Sequence, residues 1–417
     1  MPKKIKLLLS LIGVFAIGVC SYIIVDNSKK LENNKIVLKE ANSMMSMMIE
    51  QTEGTGDYKT ATTSKWPGEG YTFNAELSSC EKNGKLTWDK TTNSVVYSGN
   101  LTDKCYLFFD IYVAPSMADY CSSGTALTTC VKNFGDQGSS ISNIYIHNSS
   151  LANGAGDNSY RFAGPSDEVN NFVCFGTDAT VCPTDNLYRI IGLIGTTVKL
   201  IKYDYASSNL LGTNGNYYNE EAPATQYKGH KTVLNNYYRA ASGANNAWSS
   251  SALKTTNLNT NYLNNIGSTW ANKIVSTTWK TANITWDTFA LTTIKAAYNN
   301  EIGSPTSTST ATGKVGLLYG SEYGYAASPV AWTDSLLNYP TYTAMNWMYM
   351  GGTDGCIGSH RCGSNNQFYC VVDIWAAGSI AGDEVSMDVN IRPTFNLATS
   401  VTFVSGRGTF KDPIRIN

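Results

Sequence analysis

The chain has 417 residues, of which 15% are charged, with a net charge of −1. That charged fraction lies well below the ~25% of an average soluble domain, and so even a balance excludes the basic footprint that nucleic-acid binding needs. Ser, Thr, Asn, Gly and 26 Tyr carry the polarity instead, so the surface keeps its solubility through neutral hydrogen bonds.

The chain opens MPKKIKLLLSLIGVFAIGVCSYIIVDNSKK. Lys3, Lys4 and Lys6 precede an uncharged run from Leu7 to Val25, close to the ~20 residues that cross a bilayer as a helix. A secretory core is shorter and ends at a small-residue cleavage site, whereas Asp26, Asn27 and Ser28 follow here. Residues 1–25 are therefore expected to be an N-terminal transmembrane anchor, the alternative being a signal peptide that is cleaved to release a secreted chain. The lysines predict a cytoplasmic N-terminus with the remainder exported to the cell surface. Cys20 reads as an apolar membrane cysteine, because bulky Val19 precedes it.

Residues 26–51 contain neither Pro nor Gly and spread Leu31, Ile36, Leu38 and Met44–Ile49 among charges. They predict a helical stalk continuing the anchor, with Met44–Ile49 packed on a partner. Residues 52–70, rich in Gly, Thr and Ser, predict a linker. Residues 71–113 alternate in KLTWD, SVVYS and CYLFFDIYV, with Asn83-Gly84 between runs, which predicts a small β module of about four strands with a hairpin at that turn. Residues 114–140 read as a polar, cysteine-clamped connector.

The large unit, 141–417, begins with strand candidates at 159–164, 171–176, 187–194 and 197–205, the last two joined by a turn at Gly195. Ser251 is placed to cap a helix carrying Leu253, Leu258, Tyr262 and Leu263, and 285–303 has the spacing of an amphipathic helix ending at Gly303. KVGLLYGSEYGYA predicts a strand into a turn, and the tail alternates again through CVVDIWAAG and NIRPTFNL. Blocks of strands, then helices, then strands predict the α+β class with an antiparallel sheet.

Exported cysteines pair. Cys80 with Cys105, Cys121 with Cys130 and Cys174 with Cys182 form local pairs. Cys356, Cys362 and Cys370 form a trio in CIGSHRCGSNNQFYC. A Cys356–Cys362 bridge closes the shorter loop and Cys362–Cys370 closes a hairpin; either leaves one cysteine over. The spacings miss the C-x2–4-C pattern of zinc sites, and His147, His230 and His360 lie far apart. A stapled loop is the expectation there, with neither metal nor cofactor.

Several stretches are familiar as a set: HNSSLANGAGDNSYRFAG, NFVCFGTD, CPTDNLYRIIGLIG, VKLIKYD, AWSSSAL with YLNNI, TGKVGLLYGSEYGYA and NIRPTFNL. They resemble a group of membrane-anchored bacterial surface proteins, over about residues 66–113 and 141–417. The C-terminal part is similar to a bacterial domain family of unknown function with W-x-x-S-x-L, Y-L-N and R-P motifs. That resemblance implies a fold distantly related to C-type-lectin-like or formylglycine-enzyme-like domains, and it carries no activity. The E-P-N, Q-P-D and W-N-D triplets of calcium-dependent sugar binding are missing.

Catalytic patterns are poor. Ser251 and Lys254 match S-x-x-K, but Thr184-Asp185-Asn186 precedes the serine and no K-T-G follows. Thr312-Gly313-Lys314 lacks P-loop spacing. Glu220 with Glu221, and Asp383 with Glu384, read as solvated turns. Most tryptophans are expected in the core, and Arg392 before Pro393 in a structural contact. Tyr217, Tyr218, Tyr237 and Tyr238, in an Asn-rich context, are the candidate ligand contacts. No catalytic residue is assigned. The expected function is a membrane-anchored extracellular adhesion or binding protein that recognises a glycan or a surface protein. The alternatives are a cell-envelope enzyme with a scattered site and a pilin-like subunit, although the G-[FY]-T-L-I-E processing site is missing.

Overall fold

A computed structural model describes residues 45–61, 70–89, 94–100, 102–215, 217–218, 225–227, 230–232, 236–238, 247–285, 289–305, 308–352, 354–362, 368–384 and 388–417. The proposed anchor and the stalk up to residue 44 lie outside the described residues. No helix among those described is long and apolar enough to cross a membrane. The chain divides into two compact units, Met1–Ala114 and Pro115–Asn417.

The described residues of unit 1 form six strands: β1 Met45–Glu50, β2 Tyr58–Thr60, β3 Tyr71–Cys80, β4 Lys85–Asp89, β5 Ser94–Ser98 and β6 Cys105–Ile111. One sheet runs β2-β1-β6-β3, and β4 and β5 form a separate hairpin. β1 corrects the helical stalk over residues 45–50. Met45, Met47 and Ile49 alternate inward with period two, and β1 lies parallel to β6 with Met47 opposite Leu107. A strand buried on a neighbour outweighs the helix propensity of methionine, since propensity is a weak local bias. The linker expectation is corrected too, because β2 pairs with β1. The Asn83-Gly84 turn does not close a hairpin: β3 pairs with β6 and β4 with β5. Cys80 and Cys105 are register partners and form a disulfide. Phe73, Leu107 and Phe109 form the core with the methionines.

Unit 2 is of mixed α+β class with several antiparallel sheets. It begins earlier than residue 141. Helix α1, Leu127–Gly135, buries Leu127, Cys130, Val131 and Phe134, one face at helical spacing. Those side chains enter the main core, and Cys121–Cys130 staples the entry to α1. The segment expected as a connector is therefore part of the domain. The main sheet contains β7 Ile144–Ile146, β8 Tyr160–Phe162, β9 Phe172–Cys174, β10 Leu187–Ile194 and β11 Thr197–Lys202. Its order is 315–316, 394–396, β11, β10, β8, β7, with β9 also on β10. The β10–β11 hairpin turns at Gly195, φ 60°. A second sheet orders 308–313, 277–285, 354–362, 368–374 and 380–384.

Two helix expectations shift. The 253–262 segment is a π-helix whose N-cap position falls on Ala252 rather than Ser251. Residues 277–285 are strand, and Ile294–Tyr298 is α-helix that continues as a π-helix to Gly303. The strand-into-turn read in KVGLLYGSEYGYA is a two-residue strand followed by a helix, Gly320–Tyr325. Glu322 at its third position accepts the Tyr319 N–H at 3.0 Å, a capping-box contact that overrides two helix glycines.

Candidate functional site

A cleft of about 840 Å³ opens on unit 2 between the 166–172 segment, Tyr203 beyond β11, the 343–349 segment and the 409–411 tip. Three rings wall it edge to face. Phe172 lies 5.1 Å from Tyr203 and 5.7 Å from Phe410, and Tyr203 lies 5.8 Å from Phe410. Phe172 and Tyr203 are buried, whereas Phe410 is 49% exposed, so half of its ring faces solvent. Tyr349 adds a fourth aromatic, its hydroxyl donating to Ala376 O at 2.6 Å. Ser166, Asn170, Thr343 and Thr409 supply hydroxyls and an amide, and Asp167 and Lys411 one charge of each sign. Burial pushes the Tyr203 phenol up to about 12, with Asp204 adding to the shift, so it stays a hydrogen-bond donor at neutral pH.

Two devices hold these walls. The first is Arg189 on β10, fully buried. Its guanidinium lies 4.3 Å from the Phe172 ring centre and 4.7 Å from that of Trp347. It donates to Ser166 Oγ at 2.8 Å, Val169 O at 2.7 Å and Asn171 Oδ1 at 2.5 Å. A planar five-donor cation can fix a whole loop in this way. Burial lowers its pKa to about 9, which still leaves it charged at neutral pH. The second device is the turn at Gly408. Phe172 N–H donates to Gly408 O and Ile414 N–H to Phe172 O, both at 2.8 Å, which lays 408–414 along β9. Gly408 has φ +79°, and a Cβ there would stand 2.6 Å from Asn170 O. Only glycine fits.

A second polar cluster lies inside the same unit. Arg161 on β8 donates to Asp157 at 2.7 Å and Ser159 Oγ at 2.8 Å, and lies 5.6 and 5.5 Å from the Tyr298 and Tyr325 ring centres. Burial works against ionisation of Asp157, but the Arg161 cation and the Ser159 hydrogen bonds hold its carboxyl well below the usual range. His147 accepts the Ala155 N–H on Nδ1, and burial with the Arg161 charge brings it down to about 3. Lys199 meets Glu322 at 2.5 Å between the Trp279 and Tyr319 rings. Glu301, raised to about 7 by burial, accepts the Gly320 and Ser321 N–H groups. Perturbed groups of this kind mark catalytic sites when they line a cavity. These are nearly all buried, and only Asp157 shows appreciable exposure. They read as part of the interior of the core, in which His147 Nε2 and Arg161 Nη1 have no hydrogen-bond partner among the described residues.

Metal-ligand geometry occurs once among the described residues, at Cys80, Asp103 and Cys105. The two sulfurs are joined to each other, and Asp103 accepts the Lys82 and Gly84 N–H groups. This donor set is already spent.

The local pairs Cys80–Cys105, Cys121–Cys130 and Cys174–Cys182 form as the spacing predicts. Of the trio, Cys356 is buried on strand 354–362, Cys362 faces Phe368 and Cys370 faces His360 in the backbone register. The side chains of Cys362 and Cys370 lie outside the described residues. So do those of Tyr217, Tyr218, Tyr237 and Tyr238, whose backbones set Tyr217 opposite Tyr237 and Tyr237 opposite Val389. Trp248, Trp270, Trp279, Trp332 and Trp347 are core residues, and Trp375 is 46% exposed. Arg392 is buried and donates to Lys202 O and Met348 O, so the R-P motif is structural. Phe172, Tyr203, Tyr349 and Phe410 had no local signal, being brought together from four distant places. Comparison with protein-family models, curated proteins and solved structures finds no match for this chain.

Proposed function

We propose that unit 2 is the binding module of an exported surface protein, and that its aromatic cleft takes a glycan. The observation that carries this reading is the set of three mutually edge-on rings beside uncharged hydroxyls and an amide. A sugar ring offers an apolar face for stacking and an equatorial fringe of hydroxyls. A site built of rings and neutral donors and acceptors matches both. Pockets that orient a ligand this way combine apolar walls with few placed polar groups. Three disulfides among the described residues support an oxidising compartment. The apolar N-terminal segment supports anchorage at the cell surface. The motif set supports a distant kinship of unit 2 with the C-type-lectin-like fold.

The test is a broad glycan array probed with the full chain in detergent micelles, with and without a chelator. Asp167 is the single carboxylate among the described lining residues, so binding is expected to survive the chelator. Failure to bind any glycan refutes the reading.

A further inference from the structure

Phe410 and Lys411 line a second cleft as well, of about 740 Å³. It lies against the Cys174–Cys182 disulfide loop, with Trp270, Val181 and Val404 as apolar wall and Thr177, Thr180 and Ser405 as neutral hydroxyls. Arg415 donates to Ala179 O at 2.8 Å and Thr180 O at 2.7 Å, which pins the loop to the C-terminal strand. The two clefts therefore flank one tip. That tip is held: Gly408 N–H donates to Asp412 O at 2.9 Å, and the Asp412 side chain accepts the Arg407 N–H at 3.1 Å.

Resting on the glycan reading above, we infer that the ligand is a linear, uncharged oligosaccharide that crosses Phe410 and places sugar units in both clefts. One buried edge of Phe410 packs on Phe172 and Tyr203, and its exposed half stands at the junction. A single sugar would use one cleft and leave the other without purpose. The charges along the path are Asp167, Asp178, Lys411, Asp412 and Arg415, of mixed sign, and Arg415 is committed to backbone carbonyls. A polyanionic chain would need a run of one sign. Ring stacking on Phe410 with neutral hydrogen bonds on both sides suits an uncharged chain.

The experiment titrates the full chain in detergent with length ladders of α- and β-linked glucose and N-acetylglucosamine, from monosaccharide to hexasaccharide. Affinity for at least one ladder is expected to rise about tenfold or more between the disaccharide and the hexasaccharide. Val181→Asp changes a residue 82% exposed in the second cleft, and is expected to abolish that rise without changing the circular dichroism spectrum. Equal affinity for short and long members, with binding retained, overturns the chain-crossing inference and leaves the single-cleft reading standing. A wild-type rise that Val181→Asp does not change also overturns it. No binding by any ladder member overturns this inference, while the glycan reading itself falls only if the broad array is also negative.

Discussion

The Arg189 guanidinium lies 4.3 Å from the centre of the Phe172 ring while its donors reach Ser166, Val169 and Asn171. One buried cation thus supports the floor of the cleft and fixes the loop that forms its wall. Arg189→Lys keeps the charge but cannot serve three spread acceptors, which leaves buried carbonyls unmet. A loss of about 2–4 kcal/mol is expected, read as a lower urea midpoint for unit 2. An unchanged midpoint would remove Arg189 from this role.

Gly408→Ala should harm the protein more than Gly156→Ala. Both positions have positive φ, +79° and +76°, but a Cβ at Gly156 meets nothing within 4 Å, whereas one at Gly408 meets Asn170 O at 2.6 Å. Backbone strain alone costs about 1–2 kcal/mol at each. The clash adds to it at Gly408 and displaces Phe410. Thermal melts should rank the variants in that order, and glycan affinity should fall only for Gly408→Ala.

The stability of unit 2 should depend on pH through two buried groups of opposite sense. His147 falls from 6.5 to about 3 on folding. Below pH 6.5 the unfolded chain takes a proton that the native state refuses, so this contribution destabilises progressively as pH drops towards 3. Glu301 rises from 4.5 to about 7. The native state keeps a proton that the unfolded chain gives up, so the stabilising part is full below 4.5 and disappears as pH rises through 7. Comparing variants with wild type separates them. Between pH 7 and pH 5 His147→Gln should gain about 2 kcal/mol relative to wild type, and Glu301→Gln should lose ground. Parallel pH curves for wild type and both variants would contradict the account.

Unit 1 needs the residues that looked like a stalk. Starting the chain at residue 54 removes β1, which lies between β2 and β6 and buries Met45 and Met47. Circular dichroism and proteolysis should show unit 1 unfolded and unit 2 intact in that truncation. Opening the Cys80–Cys105 bridge, with a sequence separation of 25, should cost about 3.5 kcal/mol and lower the melting of unit 1 selectively.

The sequence made visible what rests on local spacing. Gly195 marks the β10–β11 hairpin, and short cysteine separations give the paired bridges. Mixed strand and helix blocks give the α+β class. Non-local pairing was hidden. MSMMIE is a fair helix on propensity and becomes a strand only because β6, about sixty residues later, supplies a parallel partner. GSEYGY has too many glycines to advertise a helix, yet Glu322 and the Glu301 carboxylate gather its N-terminal amides. The cleft was least legible of all. Phe172, Tyr203, Tyr349 and Phe410 share no motif or period, and the rings meet through β9, the end of β11 and a C-terminal turn laid across them.

The most direct measurement compares the affinity of one array-selected glycan for wild type, Phe410→Ala and Phe410→Trp. Half of the Phe410 ring is already in solvent, so the alanine variant should stay folded. An aromatic pair contributes about 0.5–1.5 kcal/mol beyond burial; taking a ring on a sugar face as comparable, the account predicts up to about a tenfold loss for Phe410→Ala with recovery in Phe410→Trp. Equal affinity for all three proteins, each shown to be folded, would contradict the placement of the ligand in this cleft.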